Sequence, residues 1–314
     1  MTRYAPVLIP TLCRYEHFKR CLLSLEKNRL AKETIVYIAL DYPLKDEHWK
    51  GYEKIKDFLN GKFNFKELIV IKREKNFGAF VNAEYVLNEL FKQYDAVINS
   101  EDDNEFSPNF LEYMNLCLQK YESDNSVIAI GGYSFPIKWK TGDNNIIRHS
   151  PFCTAWGFGI WKSRKDWLSN TDNVILWNKI KSIKRAYDKL RKCPLVFWFS
   201  IEYIWTCKKL YLDIGYNIYM LLFDKYMIYP VISKVRNWGW DGSGINCNID
   251  DSVAKIELDT EMHFEIKGND SVFMKNNDIL VNKFFRVPKI RVLKAIVKYF
   301  LIKFSFRKIS EKNV

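Results

Sequence analysis

The chain has 314 residues, 48% of them hydrophobic and 27% charged: enough apolar matter for one large or two small globular domains, and too much for a disordered chain. The formal charge of +12 is uneven, since residues 282–314 carry ten Lys or Arg against the single acid Glu311, so most of the basicity belongs to the C-terminal segment. Seven cysteines, an odd number with no Cys-x-x-Cys pair, exclude a disulfide framework and a thiolate zinc centre and suit a reducing compartment.

The sequence enters a strand-like segment at 5–10 without the features of a signal peptide, and no uncharged run approaches the about 20 residues that span a bilayer. A cytoplasmic protein is expected. Residues 7–9 read as a buried strand and 15–25, with Phe18, Cys21, Leu22 and Leu25 at helical spacing, as the helix after it. A strand at 35–40, a helix at 48–59, a strand at 67–71, a helix at 79–92, a strand at 95–99 and a helix at 108–121 follow, with a further strand at 127–130. This alternation predicts an α/β fold with a mostly parallel sheet flanked by helices. Such sheets bind ligands beyond the carboxyl ends of their strands, which here carry Thr11, Arg14, Asp41 and the run Glu101, Asp102, Asp103. From about residue 133 the alternation fades into aromatic, glycine-containing sequence up to about 250, where the second half of the site is expected.

Three adjacent acids at the end of an apolar strand repel one another and require a cation or hydrogen-bond donors nearby. A hard divalent ion, Mn2+ or Mg2+, takes one or two carboxylates plus substrate phosphates and would suit them. A solvated loop, or a charge bias at the start of the next helix, is the plainer alternative.

The segment 98–113, Ile-Asn-Ser-Glu-Asp-Asp-Asn-Glu-Phe-Ser-Pro-Asn-Phe-Leu-Glu-Tyr, resembles the Glu-Asp-Asp form of the DXD motif in GT-A glycosyltransferases, especially the N-acetylglucosaminyltransferase I type. That resemblance implies a GT-A (Rossmann-like) fold, a metal at Asp103, the donor ribose near Asp102, and Glu101 as the first acid of the motif. The opening 6–25 is similar to the first strand, loop and helix of family-2-type bacterial glycosyltransferases, which implies that Thr11 and Arg14 face the donor nucleotide and that Asp41 accepts from its base; a surface Arg14 on an ordinary turn and helix or turn capping by Asp41 are the plainer alternatives. Residues 73–78 resemble that family's Asn-x-Gly loop and bring Asn76 and Gly78 to the donor, with Lys72, Arg73 and Lys75 near its diphosphate. Residues 153–161 resemble its Trp-Gly-x-Gly segment, placing Trp156 and Gly157 beside the donor sugar, while Trp161 and Trp167 read as core.

Inverting transfer needs a carboxylate to take the acceptor proton. The aromatic-flanked segment 197–205 resembles the family's acid segment and offers Glu202, a Glu where Asp is usual; a helix acid paired with lysine is the alternative. The segment 230–246 resembles the loop that closes the donor site, with Arg236, Trp238 and Asp241, the last a fallback base; Asn246 stands where His is usual, which argues against a metal ligand there. The four histidines fall on no motif and read as structural or surface residues.

The expected division is 1–130 for donor binding, 131–281 for acceptor binding and catalysis within the same domain, and 282–314 as a basic amphipathic tail. In the tail, lysines interleave with aliphatic and aromatic residues, which favours an anionic membrane surface over nucleic acid, or packing on the domain or on a homodimer partner. The resemblance thus implies an inverting transferase acting from a UDP-sugar on a glycan or lipid-linked glycan, in bacterial surface polysaccharide synthesis and peripheral on the inner face of the cytoplasmic membrane. A non-catalytic carbohydrate- or membrane-binding module of the same fold is the alternative. A nucleotidyltransferase fits less well, because the loop after the first strand has no glycine.

Overall fold

The computed structural model describes residues 4–150, 154, 156–165, 173–206, 212–243, 256–269 and 275–304. In chain order it contains β1 (Val7–Thr11), α1 (Tyr15–Glu26), β2 (Ile35–Leu40), α2 (Asp46–Leu59), β3 (Glu67–Lys72), α3 (Ala79–Leu90), β4 (Ala96–Asn99), β5 (Asn104–Phe106), α4 (Phe110–Lys120) and β6 (Val127–Gly131). There follow β7 (Ile146–His149), β8 (Phe158–Trp161), α5 (Asn173–Ser182), α6 (Ala186–Leu190), α7 (Trp198–Thr206), α8 (Leu212–Phe223), β9 (Tyr226–Pro230), β10 (Val235–Asn237), α9 (Lys275–Phe285) and α10 (Lys289–Phe304).

The main sheet has the order β3-β2-β1-β4-β8-β6-β9-β7. Strands β1 to β4 are mutually parallel, β6 and β9 are parallel to each other, and β8 and β7 pair antiparallel to their neighbours. The expected α/β class with a mostly parallel sheet is therefore present. Strand β1 is buried on both faces, as an interior parallel strand must be. Val7 and Ile9 meet α1, α2 and α4 on one side, while Leu8 joins the opposite core with Val86 and Leu90 of α3 and Tyr216 and Met220 of α8.

Three features lie outside the sequence reading. The sheet continues past residue 133, with β8 inserted between β4 and β6. Strand β5, three residues after the acidic run begins, forms a two-stranded ribbon with β10, pairing Asn104 with Asn237 and Glu105 with Arg236. And α5, α6, α7, α8 and α10 enclose a third core around Trp177, Trp198, Ile201, Ile218 and Tyr299. The expected tail is thus integral to the protein from Lys289: Val292, Ala295, Tyr299 and Ile302 are buried. The Lys303 ammonium donates to the carbonyls of Ile180, Lys181 and Ile183, closing the C-terminal end of α5. Trp161 is core, as expected, at 3% exposure, and Trp167 lies outside the described residues.

A buried ion pair fastens segment 256–269 to the sheet. Lys234, 2% exposed, pairs with Asp259 and lies over the Phe264 ring. Asp259 also accepts from the Asn109 amide at 3.2 Å and from the Glu261 N–H at 2.9 Å. Removing one partner of such a pair strands a charge in the interior, whereas removing both does not. Asp259→Ala is expected to lower stability by about 3–5 kcal/mol in urea unfolding, and the double variant Lys234→Met/Asp259→Ala to recover most of that loss.

Candidate functional site

The loops after β1 and β4 meet because their strands are hydrogen-bonded neighbours. The Arg14 guanidinium, on the loop after β1, is set between Asp102 and Asp103, 2.8 Å from Asp103 Oδ2. The Thr11 hydroxyl donates to Asp102 Oδ2 at 2.8 Å. From the ribbon, the Asn237 amide donates to Asp103 Oδ1 at 2.6 Å, and the Trp238 N–H donates to the Asp103 carbonyl at 2.9 Å. The cation required by three adjacent acids is thus in part the protein's own. Arg14 binds the carboxylates, where the resemblance implied contact with base or phosphate.

The compensation is incomplete, since one guanidinium faces three carboxyls. Burial, followed by the Asp103 charge, pushes Glu101 up to about 8, with Arg14 opposing and Asp102 and Asp213 adding to the rise. Burial also lifts Asp102 above the usual carboxylate range against the pull of Arg14. Arg14 stays protonated because Asp102 and Asp103 together outweigh its burial. Beside Asp103 the backbone of Gly239 approaches so closely that a Cβ there would strike Asp103 Oδ2, at 2.4 Å. Excess negative charge and a strand-end carboxylate fit a hard divalent ion completed by substrate phosphates. Among the described residues no three His, Cys, Asp or Glu side chains form a metal site by themselves.

Asp41 is 3% exposed and accepts three backbone N–H groups at 2.9 Å, from Tyr42 and Phe77 on Oδ1 and from Gly78 on Oδ2. The Asn76 amide donates to the Tyr42 carbonyl at 2.6 Å. Both residues therefore hold the loops after β2 and β3 together, whereas the resemblance gave Asp41 and Asn76 to the donor. Arg73 lies between the Phe77 and Tyr85 rings and donates to Asn82.

Trp156 lies edge-on to Tyr133 and Trp240, with ring centroids 4.6 and 6.1 Å apart. Gly157 has a left-handed φ of 66°, and a Cβ on it would lie 2.9 Å from the Val235 side chain, so this turn requires glycine. In this aromatic group, among the described residues, the Tyr133 hydroxyl and Trp240 Nε1 are buried without a hydrogen-bond partner. Such groups are costly unless something satisfies them.

Other expected residues are engaged elsewhere. Both carboxylate oxygens of Glu202, the expected base, are engaged by α10, one by Lys298 at 2.7 Å and the other by Arg291 at 3.3 Å. The Lys298 bond holds its pKa below the usual range, which makes it a poor base. Arg236 donates to the Ile256 carbonyl and flanks Glu105 and the Trp238 ring, so its guanidinium is spent on the ribbon. Asp241 lies 2.9 Å from His17 Nε2 and accepts from Ser243; burial raises its pKa most as a single cause, but the Ser243 and His17 interactions together outweigh it and bring it down to about 2. His17, on α1 just after Arg14, is thus a rim residue that the sequence reading placed among surface histidines. Asn246 lies outside the described residues.

Asp213 was missed. It opens α8, whose C-terminal end turns at Asp224 into β9, so the N-terminus of α8 lies at the carboxyl edge of the sheet. Its charge reaches Glu101, and its side chain is exposed to solvent at the start of the helix. An acid followed by the apolar 214–223 run was the available signal.

No protein-family model and no curated protein matches the chain. Over 53% of its length it is similar to 47% of the mannosyltransferase PcManGT from Pyrobaculum calidifontis in complex with GDP-Man and Mn2+, with a TM-score of 0.35 and 12% identity. Over 74% it is similar to 59% of S. aureus TarS 1-349, with a TM-score of 0.41 and 13% identity. Over 54% it is similar to 30% of S. aureus TarS, with a TM-score of 0.34 and 14% identity. The chain spans less than two thirds of each of these, and likenesses of this degree carry no conclusion about its activity.

Loss of the Asp41 carboxylate would leave three partly buried N–H groups without their acceptor. Asp41→Ala is expected to cost about 2–3 kcal/mol and to release the Phe77 and Gly78 amides to rapid hydrogen exchange, while β1 amides remain protected.

Proposed function

We propose that the chain is a metal-dependent, inverting glycosyltransferase that moves a sugar from a nucleoside diphosphate sugar of the UDP class to a hydroxyl of a glycan or lipid-linked glycan. The observation that supports this most is the Arg14-bridged acid run at the carboxyl end of β4, with the Gly239 backbone close against Asp103. Asp103, assisted by Glu101, would hold Mn2+ or Mg2+ against the donor diphosphate, and the ion would supply the charge that stabilises the departing nucleoside diphosphate. Thr11 and Arg14 fix the Asp102 and Asp103 carboxylates in one orientation, so no reorganisation is needed when the donor arrives. A carboxylate has about four acceptor sites, so Asp102 retains capacity for a ribose hydroxyl after serving Thr11 and Arg14.

The unsatisfied Tyr133 and Trp240 atoms beside the Trp156 ring suit a sugar, which offers hydroxyls and a C–H face together. We assign the acceptor proton to Asp213, an exposed acid at the start of α8 whose charge reaches Glu101, whereas Glu202 is locked in ion pairs and Asp241 is held at about 2. Asp213 takes that proton as the acceptor oxygen bonds to the anomeric carbon and the bond to the diphosphate oxygen breaks.

Calorimetry with UDP and GDP, with and without Mn2+, tests the donor half. UDP binding is expected to need the metal and to fall at least about tenfold in both Asp103→Asn and Gly239→Ala; absence of nucleotide binding with any metal would leave the non-catalytic module as the reading. Once a donor is found, Asp213→Asn is expected to lower kcat about 10²–10⁴-fold with KM little changed, and Glu202→Gln to leave turnover near wild type. The reverse ranking would return the base to Glu202.

A further inference from the structure

We propose that the outward face of α10 docks the protein onto an anionic lipid bilayer. The helix is apolar on two sides. At about 100° per residue, Val292, Ala295, Tyr299 and Ile302 fall on one face, and all are buried against the helical lobe. Ile290, Leu293, Val297, Phe300, Leu301 and Phe304 fall on the opposite face and are 39–73% exposed. The first face suffices for packing. A second continuous apolar stripe on a water-facing helix marks a contact surface.

The charges beside the stripe say which contact. Lys294 lies one turn from Ile290 and Val297 along one margin, and Lys289 one turn from Leu293 along the other. Neither lysine makes an ion pair or hydrogen bond among the described residues, and α10 contains no Asp or Glu. Two copies meeting stripe to stripe would bring like-charged rows together, whereas anionic headgroups would neutralise both rows as the stripe enters the acyl boundary. A nucleic acid would leave the aliphatic stripe unused. Arg291, Lys298 and Lys303 belong to a different function: their bonds to Glu202 and to the end of α5 hold the helix so that the stripe faces outward. Residues 305–314 add Arg307, Lys308 and Lys312 against Glu311. Among the described residues no helix is long and apolar enough to cross a membrane, so α10 would lie in the interface plane.

The test is flotation of the full chain with phosphatidylcholine vesicles and with vesicles containing phosphatidylglycerol, alongside light scattering of the free protein. Wild type is expected to float with the anionic vesicles at least about tenfold more tightly than with the neutral ones, and to be released by salt. Leu293→Ser/Val297→Ser/Leu301→Ser and Lys289→Gln/Lys294→Gln are each expected to weaken flotation about tenfold or more. Both sets alter exposed side chains, so circular dichroism and metal-dependent UDP binding are expected to match wild type, which separates this inference from the donor site. Failure of wild type to bind anionic vesicles, or undiminished binding by the triple variant, would overturn it. So would a wild-type dimer that the triple variant dissolves, because the stripe would then belong to a second copy.

Discussion

The Arg14 guanidinium between Asp102 and Asp103 is the constraint on which the candidate site rests. Parallel pairing of β1 and β4 brings two loops 88 residues apart in sequence side by side, and the acids on one would repel anything but a cation on the other. Once that cation is covalently part of the protein, the carboxylates are oriented before any ligand arrives. The same bridge sets the position of the ribbon, because Asn237 and the Trp238 N–H bind the acid that Arg14 holds. Gly239 follows at once, where any side chain would strike that carboxylate.

A second dependence runs through α8. Tyr216 and Met220 lie in the sheet's core, and Ile218 and Leu222 in the core of the helical lobe, so this one helix belongs to both. Its first turn carries Asp213 to the acidic run. The lobe's packing therefore bears on the placement of a charge in the site.

Much of the first half was legible because its signals are local. Strands β1 to β4 and their helices follow from apolar periodicity, and the acids stand out because an apolar run ends on them. What was not legible depends on pairing between distant segments. The three-residue strands β5 and β10 are too short to show a period, and each is a strand only because the other is there. Strand β8 reads as an aromatic segment until β4 and β6 flank it. Glu202 has the surroundings of a catalytic acid in sequence, but Lys298 lies 96 residues away and takes the carboxylate. Asp41 is well placed after β2, yet the amides it serves lie on another loop. In each case the residue type was read correctly as chemistry and its partner was hidden by distance along the chain.

Lys303 closes a helix that ends 121 positions earlier, at Ser182. During synthesis, α5 leaves the ribosome long before its terminal carbonyls can be met, while β1, β2 and β3 already have the strands they pair with. Vectorial folding of this chain thus has a built-in order: the sheet's parallel half can assemble on the nascent polypeptide, and the helical lobe stays open until the last turns of α10 emerge. In that interval the apolar faces of α5, α7 and α8 are uncovered together, which makes the unfinished lobe, rather than the sheet, the part of the molecule with most need of a chaperone.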